Sequence, residues 1–204
     1  MMQQKGRSMV EMLGVLAIIG VLSATALAGY SKAMKQHRLN VHQEQMNNIL
    51  NGITIYGNTF AKMSEGRTEN LNLNRPLYSL GYVDKRMLQT QNWNTYGAGF
   101  FRDIYNNQLT IQVTQAGVVR MVYYFRTKSM DACINTYQLM KAREELFKSI
   151  SLNSKVYYHK CKEETLCMKD ITNAEIYEHC EKMLERIEAS SSVYVYFNFN
   201  SNDY

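Results

Sequence analysis

The sequence predicts an α+β fold: a long N-terminal α-helix, apolar in its first half and amphipathic in its second, packed on an antiparallel β-sheet head with additional helices and disulfides. Three observations predict it. Residues 12–29 carry no charge, and apolar residues continue beyond them at helical spacing to about residue 62. Runs that alternate apolar and polar residues follow at 108–114, 118–126 and 192–198, the pattern of half-buried strands. Four cysteines, Cys133, Cys161, Cys167 and Cys180, all fall in the C-terminal half.

The helix comes first. As an α-helix, residues 12–29 span about 27 Å at ~1.5 Å per residue, enough for a thin bilayer core. Ser23 and Thr25 alone within that run carry a side-chain hydroxyl, and Gly14, Gly20 and Gly29 leave room for close helix approach. Further on, Met46, Ile49, Leu50, Ile53, Tyr56 and Phe60 form a stripe opposite Gln43, Glu44, Asn47, Asn51 and Asn58, which suits a stalk laid against a head. Gly52 and Gly57 interrupt it at a cost of about 1 kcal/mol each relative to Ala. One helix from about residue 9 to about 62 is predicted.

Residues 64–107 are rich in loop formers, in SEGRTENLNLNRP, NWNTYGAG and YNNQ, and are read as irregular. The strands 108–114 and 118–126 close a hairpin around Gln115, Ala116 and Gly117. Residues 131–149 are read as a helix on Ile134, Leu139, Leu146 and Ile150, and 155–159 as a short strand. Thr172 and Glu175 form a capping box that opens a helix bearing Ile176, Cys180, Met183, Leu184 and Ile187 on one stripe. Residues 192–198, SVYVYFN, form the last strand.

Composition narrows the function classes. The 204 residues hold 23 Lys plus Arg against 18 Asp plus Glu, a surplus of +5 spread along the chain. Such a surplus helps adhesion to DNA or another anionic surface slightly and identifies no partner. The 15 tyrosines suit exposed sheet or interface surface, because the ring is apolar and its hydroxyl tolerates water. Four cysteines behind an N-terminal membrane signal fit an oxidising compartment and two disulfides. Of the three pairings they permit, Cys133–Cys180 would tie two helices together while Cys161–Cys167 closes a small loop. The set His159, Cys161, Cys167, His179 and Cys180 matches no zinc-ligand spacing, and neighbouring His179 and Cys180 project to different faces of a helix. No nucleophile–base pair, phosphate loop or dinucleotide turn is present, so the sequence argues for no enzyme, cofactor or metal.

The stretch KGRSMVEMLGVLA, residues 5–17, raises a sharper question, because Glu11 stands directly against the uncharged run. A charge on the threshold of a membrane segment is costly unless it has a partner or a task. A plain membrane anchor does not account for it. Neither does a secretory signal peptide, with Lys5 and Arg7 as its basic region and Ala24-Thr25-Ala26 as its cleavage box. Gly6, then Arg7-Ser8-Met9-Val10, then Glu11 and the apolar helix resemble the class III leader and N-terminus of the type IV pilin and pseudopilin family. The resemblance is close over residues 5–40.

That resemblance implies a leader of residues 1–6 and a transmembrane and polymerisation helix over 7–30. It implies a head over 31–204 that includes the amphipathic half of the helix. It also implies cutting by prepilin peptidase between Gly6 and Arg7, N-methylation of Arg7, and Glu11 as the assembly residue. Arg7 stands where the family usually has Phe, Met or another apolar residue, and Ala28 where many members carry a kinking proline. The helix-bearing, disulfide-bonded head is similar to those of the larger, type IVb-like members.

The implied partners are further copies of the chain in a filament, the inner-membrane assembly machinery, and membrane lipid before assembly. DNA or a host surface would be what the filament touches. The implied place is a bacterial inner membrane with the head in the periplasm, then a pilus or periplasmic pseudopilus. The physics of Glu11 follows from burial: once the helix joins a bundle, an unpaired carboxylate costs several kcal/mol unless a positive group meets it. The new amine at Arg7 of a neighbouring copy would be that group and would set the register. The alternatives are a pseudopilin of a type II secretion system and a secreted disulfide-bonded protein released by signal peptidase near Ala26.

Overall fold

The computed structural model describes residues 9–88, 99–152, 154–190 and 193–199. They form an α+β fold divided between Asn40 and Val41 into two compact units. Helix α1, Met9–Lys62, runs through both without interruption for 54 residues. It contains no proline, and Thr25 and Thr54 return their hydroxyls to carbonyls of the preceding turn, so their polar atoms do not compete with the helix.

In the first unit every residue from Met9 to Ala33 is exposed, apolar ones included. In the second, α1 buries Val41, His42, Gln45, Met46, Ile49, Leu50, Gly52, Ile53, Gly57 and Phe60 on one face. The predicted extent and the change of character along the helix are both present.

Gly52 is explained by packing. A Cβ there would lie 2.6 Å from Tyr82 Cγ and 2.9 Å from Leu77 Cδ2, so only glycine admits this approach. Gly52→Ala is expected to destabilise the head by about 1–3 kcal/mol, outweighing the helix propensity it gains. Urea unfolding midpoints test this, and an Ala variant at least as stable as the parent would show the contact to be loose.

Among the described residues the sheet of the second unit has eight strands. They are β1 (Leu71–Asn72), β2 (Phe101–Arg102), β3 (Gln108–Val113), β4 (Val119–Phe125), β5 (Phe147–Leu152), β6 (Lys155–Tyr158), β7 (Leu166–Cys167) and β8 (Val193–Phe199). Their order is β1-β3-β4-β8-β5-β6-β7, with β2 also on β3, and all pairs are antiparallel except β6–β7. The remaining helices are α2 (Asn74–Ser79), α3 (Met130–Ala142) and α4 (Asn173–Ser190).

Register carries one face of the sheet inward. Leu109 stands across from Tyr123 and Tyr123 across from Val195; Ile111, Met121, Phe197 and Ile150 form the next row. All of these side chains are buried. They join Ile49, Leu50 and Ile53 of α1, Tyr137 and Met140 of α3, and Ile176 and Met183 of α4 in one core.

On the outer face Tyr124, Tyr194 and Tyr196 stack edge to face or tilted, and Arg120 lies 4.8 Å from the Tyr196 ring centre. Tyr194 is 56% exposed, the amphipathic use of tyrosine that the composition suggested.

Local signals account for most boundaries. Gly117, at φ 75°, turns the β3–β4 hairpin, where Thr114 N donates to Val118 O at 2.9 Å. The capping box closes reciprocally: Glu175 N donates to Thr172 Oγ1 at 3.1 Å and Thr172 N to Glu175 Oε2 at 2.8 Å.

Two readings are corrected. Residues 131–149 are not one helix: α3 ends at Ala142, Arg143 leaves the helical region at φ −121°, and Phe147 begins β5. Phe147, Ile150 and Leu152 face inward in an extended segment paired with β6 and β8, a long-range gain that outweighs local helix propensity. The segment 64–107 is not wholly irregular either. Its described residues hold β1, α2, β2 and a 3₁₀ turn at Lys85–Met87 and bury Leu73, Leu77, Val83, Met87 and Phe101; residues 89–98, with most of NWNTYGAG, lie outside the described residues.

Candidate functional site

Two features stand out, one in each unit. In the first, α1 presents Leu13, Leu16, Ile18, Ile19, Val21, Leu22 and Leu27 to its surroundings on every side, each more than half exposed. A helix apolar all round belongs in a membrane or inside a bundle, and this one is long and apolar enough to cross a membrane. Gly14, Gly20 and Gly29 have nothing within 4 Å of where a Cβ would stand, so this surface is open to close approach.

Glu11 lies in the first turn of α1, where the helix dipole favours an anion, and its side chain is exposed. Gly6 and Arg7, the expected cleavage and methylation positions, lie outside the described residues. The arrangement supplies an apolar rod with an acid at its N-terminal rim.

The second feature was not anticipated. In the head, α1 is pinned by a buried polar network around Asp103, in the turn between β2 and β3. Asp103 Oδ1 accepts from Tyr105 N at 2.9 Å and Asn107 N at 2.8 Å, while Oδ2 accepts from the Tyr123 hydroxyl and from Asn107 Nδ2. Asn107 Oδ1 in turn accepts from Arg126 N, Thr127 N and Thr127 Oγ1.

From α1, Gln45 Oε1 accepts from Ile104 N at 3.1 Å, and His42 Nε2 stands 3.4 Å from both Tyr123 Oη and Thr136 Oγ1. Thr136 gives its proton to Ala132 O, and Tyr123 gives its proton to Asp103. Nε2 must therefore be the donor nitrogen of a neutral His42, leaving a lone pair on Nδ1 without a partner. Burial pushes His42 down to about 4.

Burial likewise pushes Asp103 up to about 6, opposed by its hydrogen bonds from Tyr123 and Asn107. At neutral pH the 3.6 Å between His42 and Asp103 separates an imidazole from a carboxylate and is not an ion pair. Burial and the nearby Asp103 charge hold Tyr123 protonated, well above its ordinary range. These groups are buried, and the network ties α1, the β2–β3 turn, β4 and α3 together. Its sequence signal was phase: His42 and Gln45 fall on the stripe of Met46, Ile49 and Ile53, where apolar residues are expected.

Both disulfides are formed, Cys133–Cys180 between α3 and α4 and Cys161–Cys167 across a six-residue separation. The three cysteines of the Cys/His set weighed as a metal site, Cys161, Cys167 and Cys180, are thereby all disulfide-bonded. No protein-family model, curated protein or solved structure matches the chain.

Proposed function

We propose that the chain is a non-enzymatic structural subunit of a type IV pilus-like filament. In this reading prepilin peptidase cuts after Gly6, Arg7 becomes the new terminus, and the subunit waits in a bacterial inner membrane with its head in the periplasm. It then polymerises through its apolar helix into an extracellular filament.

One observation carries this: a continuous helix whose uncharged stretch is exposed on every side, with Glu11 on its first turn. An exposed surface of that kind needs lipid before assembly and other helices after it. Glu11 tolerates the membrane rim, where water reaches it, and loses that water in a bundle. Pairing with the Arg7 amine of a neighbouring copy offsets the loss only at the correct axial stagger. The acid thus sets register.

N-terminal sequencing of the mature protein tests the processing step. A first residue of Arg7 supports the proposal, whereas Leu27 identifies a secreted protein and an intact Met1 a plain anchor. Glu11→Ala is expected to leave processing unchanged and to reduce filament yield at least about tenfold, since a shift of ~1.4 kcal/mol per contact already gives that factor. Electron microscopy of sheared filaments reads the result, and wild-type yield would remove the register role.

A further inference from the structure

A cleft of about 290 Å³ opens between α4 and the β5–β6 turn, lined by Ser154, His179, Lys182, Met183 and Arg186. Its position has no bearing on the helix of the first unit. His179, Lys182, Met183 and Arg186 recur three to four residues apart and share one face of α4. Met183 is 2% exposed and forms an apolar floor. Ser154 closes the opposite side from a two-residue turn in which it holds φ 61°, a left-handed conformation uncommon for any residue with a Cβ.

The charges lining the cleft are of one sign. Among the described residues no carboxylate lines it, although Glu178, Glu181 and Glu185 stand near Lys182 on the same helix. Lys182 pairs with Glu178, but both side chains are more than half exposed. Exposed i,i+4 pairs of this kind hold weakly, so the ammonium is readily redirected. Burial and the Arg186 charge push His179 down to about 4, which leaves a neutral imidazole at the inner wall.

A guanidinium and an ammonium on one wall, a hydroxyl opposite and an apolar floor match a tetrahedral dianion attached to a compact organic body. Chloride cannot engage the planar fork, and acetate, which can, brings only one negative charge to the two cations.

We propose that this cleft binds the phosphoryl group of a small ligand, with Arg186 and Lys182 holding the oxygens, Ser154 donating its hydroxyl and Met183 carrying the organic part. The phosphoryl group could belong to a free metabolite or to a lipid headgroup, and the experiment separates them.

Full-length protein in neutral detergent is titrated with glycerol 3-phosphate at constant ionic strength and followed by amide and imidazole NMR shifts. Sodium chloride and acetate serve as comparators, and micelles doped with phosphatidic acid, whose headgroup is a phosphomonoester, form a parallel arm. Saturable shifts at Ser154, His179 and Arg186 are expected, with a dissociation constant on the order of millimolar. Arg186→Gln should weaken binding by about tenfold. Ser154→Gly, which suits the turn conformation and keeps the hairpin, should weaken it by a smaller factor.

Saturation by glycerol 3-phosphate assigns a free ligand, and saturation by the doped micelles alone assigns a headgroup; either supports the phosphoryl site. Equal shifts from chloride or acetate, or an unchanged constant in Arg186→Gln with the fold intact by NMR, overturns it.

Discussion

Replacing both Cys133 and Cys180 by Ala is expected to lower the unfolding free energy of the head by about 4 kcal/mol. The bridge spans 47 residues, and a loop of that length loses about this much chain entropy in the unfolded ensemble when cross-linked. Both residues are fully buried where α3 meets α4. Around them Tyr137 packs its ring edge against His179 at 4.8 Å and donates its hydroxyl to Ser151 O at 3.0 Å. Removing Cys161–Cys167, which closes only six residues and is partly exposed, should cost about 2 kcal/mol on the same reasoning. Against a typical total of about 5–15 kcal/mol the first loss is large and the second tolerable. Urea unfolding of the two double variants decides it. Equal losses would show that loop length does not govern the stabilisation, and a larger loss from the short loop would reverse the assignment of which bridge matters.

The extent of α1 was readable because two independent signals agree. An uncharged run of eighteen residues admits no other element, and the stripe from Met46 to Phe60 keeps helical phase directly after it. The β3–β4 hairpin and the Thr172 cap were readable for a similar reason, since each rests on residues within a few positions of one another. Residues 147–149, the start of β5, were misread as the end of a helix because Leu146 and Ile150 also fit a helical stripe. What selects the strand is β8, about fifty residues away, and no local window contains it. The strands β1, β2 and β7 have two residues each, too short to show any period.

The candidate assembly position was legible for a different reason. Glu11 is conspicuous because it breaks a pattern, whereas His42 and Gln45 fall within one. A polar residue in phase with a core stripe is visible in the sequence, but its partners are not. Asp103 and Asn107 lie in a loop-like stretch, and only the fold brings them beside Tyr123 and Thr136. Gly52 shows the same limit: local propensity counts it as a defect, and the approach of Tyr82 makes it a requirement.

The His42–Asp103 pair should make the pH dependence of stability reverse sign between two single variants. Asp103 holds its proton more tightly in the folded head, at about 6, than in the unfolded chain, near ~3.9. Its contribution is therefore complete below pH ~4 and lost as pH rises through about 6. His42 does the opposite. Its folded value of about 4 lies below the unfolded ~6.5, so its contribution is complete above pH ~6.5 and lost as pH falls through about 4. Each amounts to about 3 kcal/mol, and between pH ~4 and ~6 the two nearly cancel in the parent protein. His42→Gln removes one side of that balance, and stability relative to the parent should then fall as pH rises across this window. Asp103→Asn removes the other, and relative stability should rise. Asp103→Asn also replaces carboxyl oxygens that accept four hydrogen bonds, at an added cost of about 1–3 kcal/mol, which lowers its whole curve. Difference curves from urea unfolding between pH 4 and 7 isolate the pair from the exposed carboxylates, which titrate alike in all three proteins. Slopes of the same sign in both variants would mean that His42 and Asp103 do not titrate as burial dictates, and that the network holds α1 by shape and neutral hydrogen bonds alone.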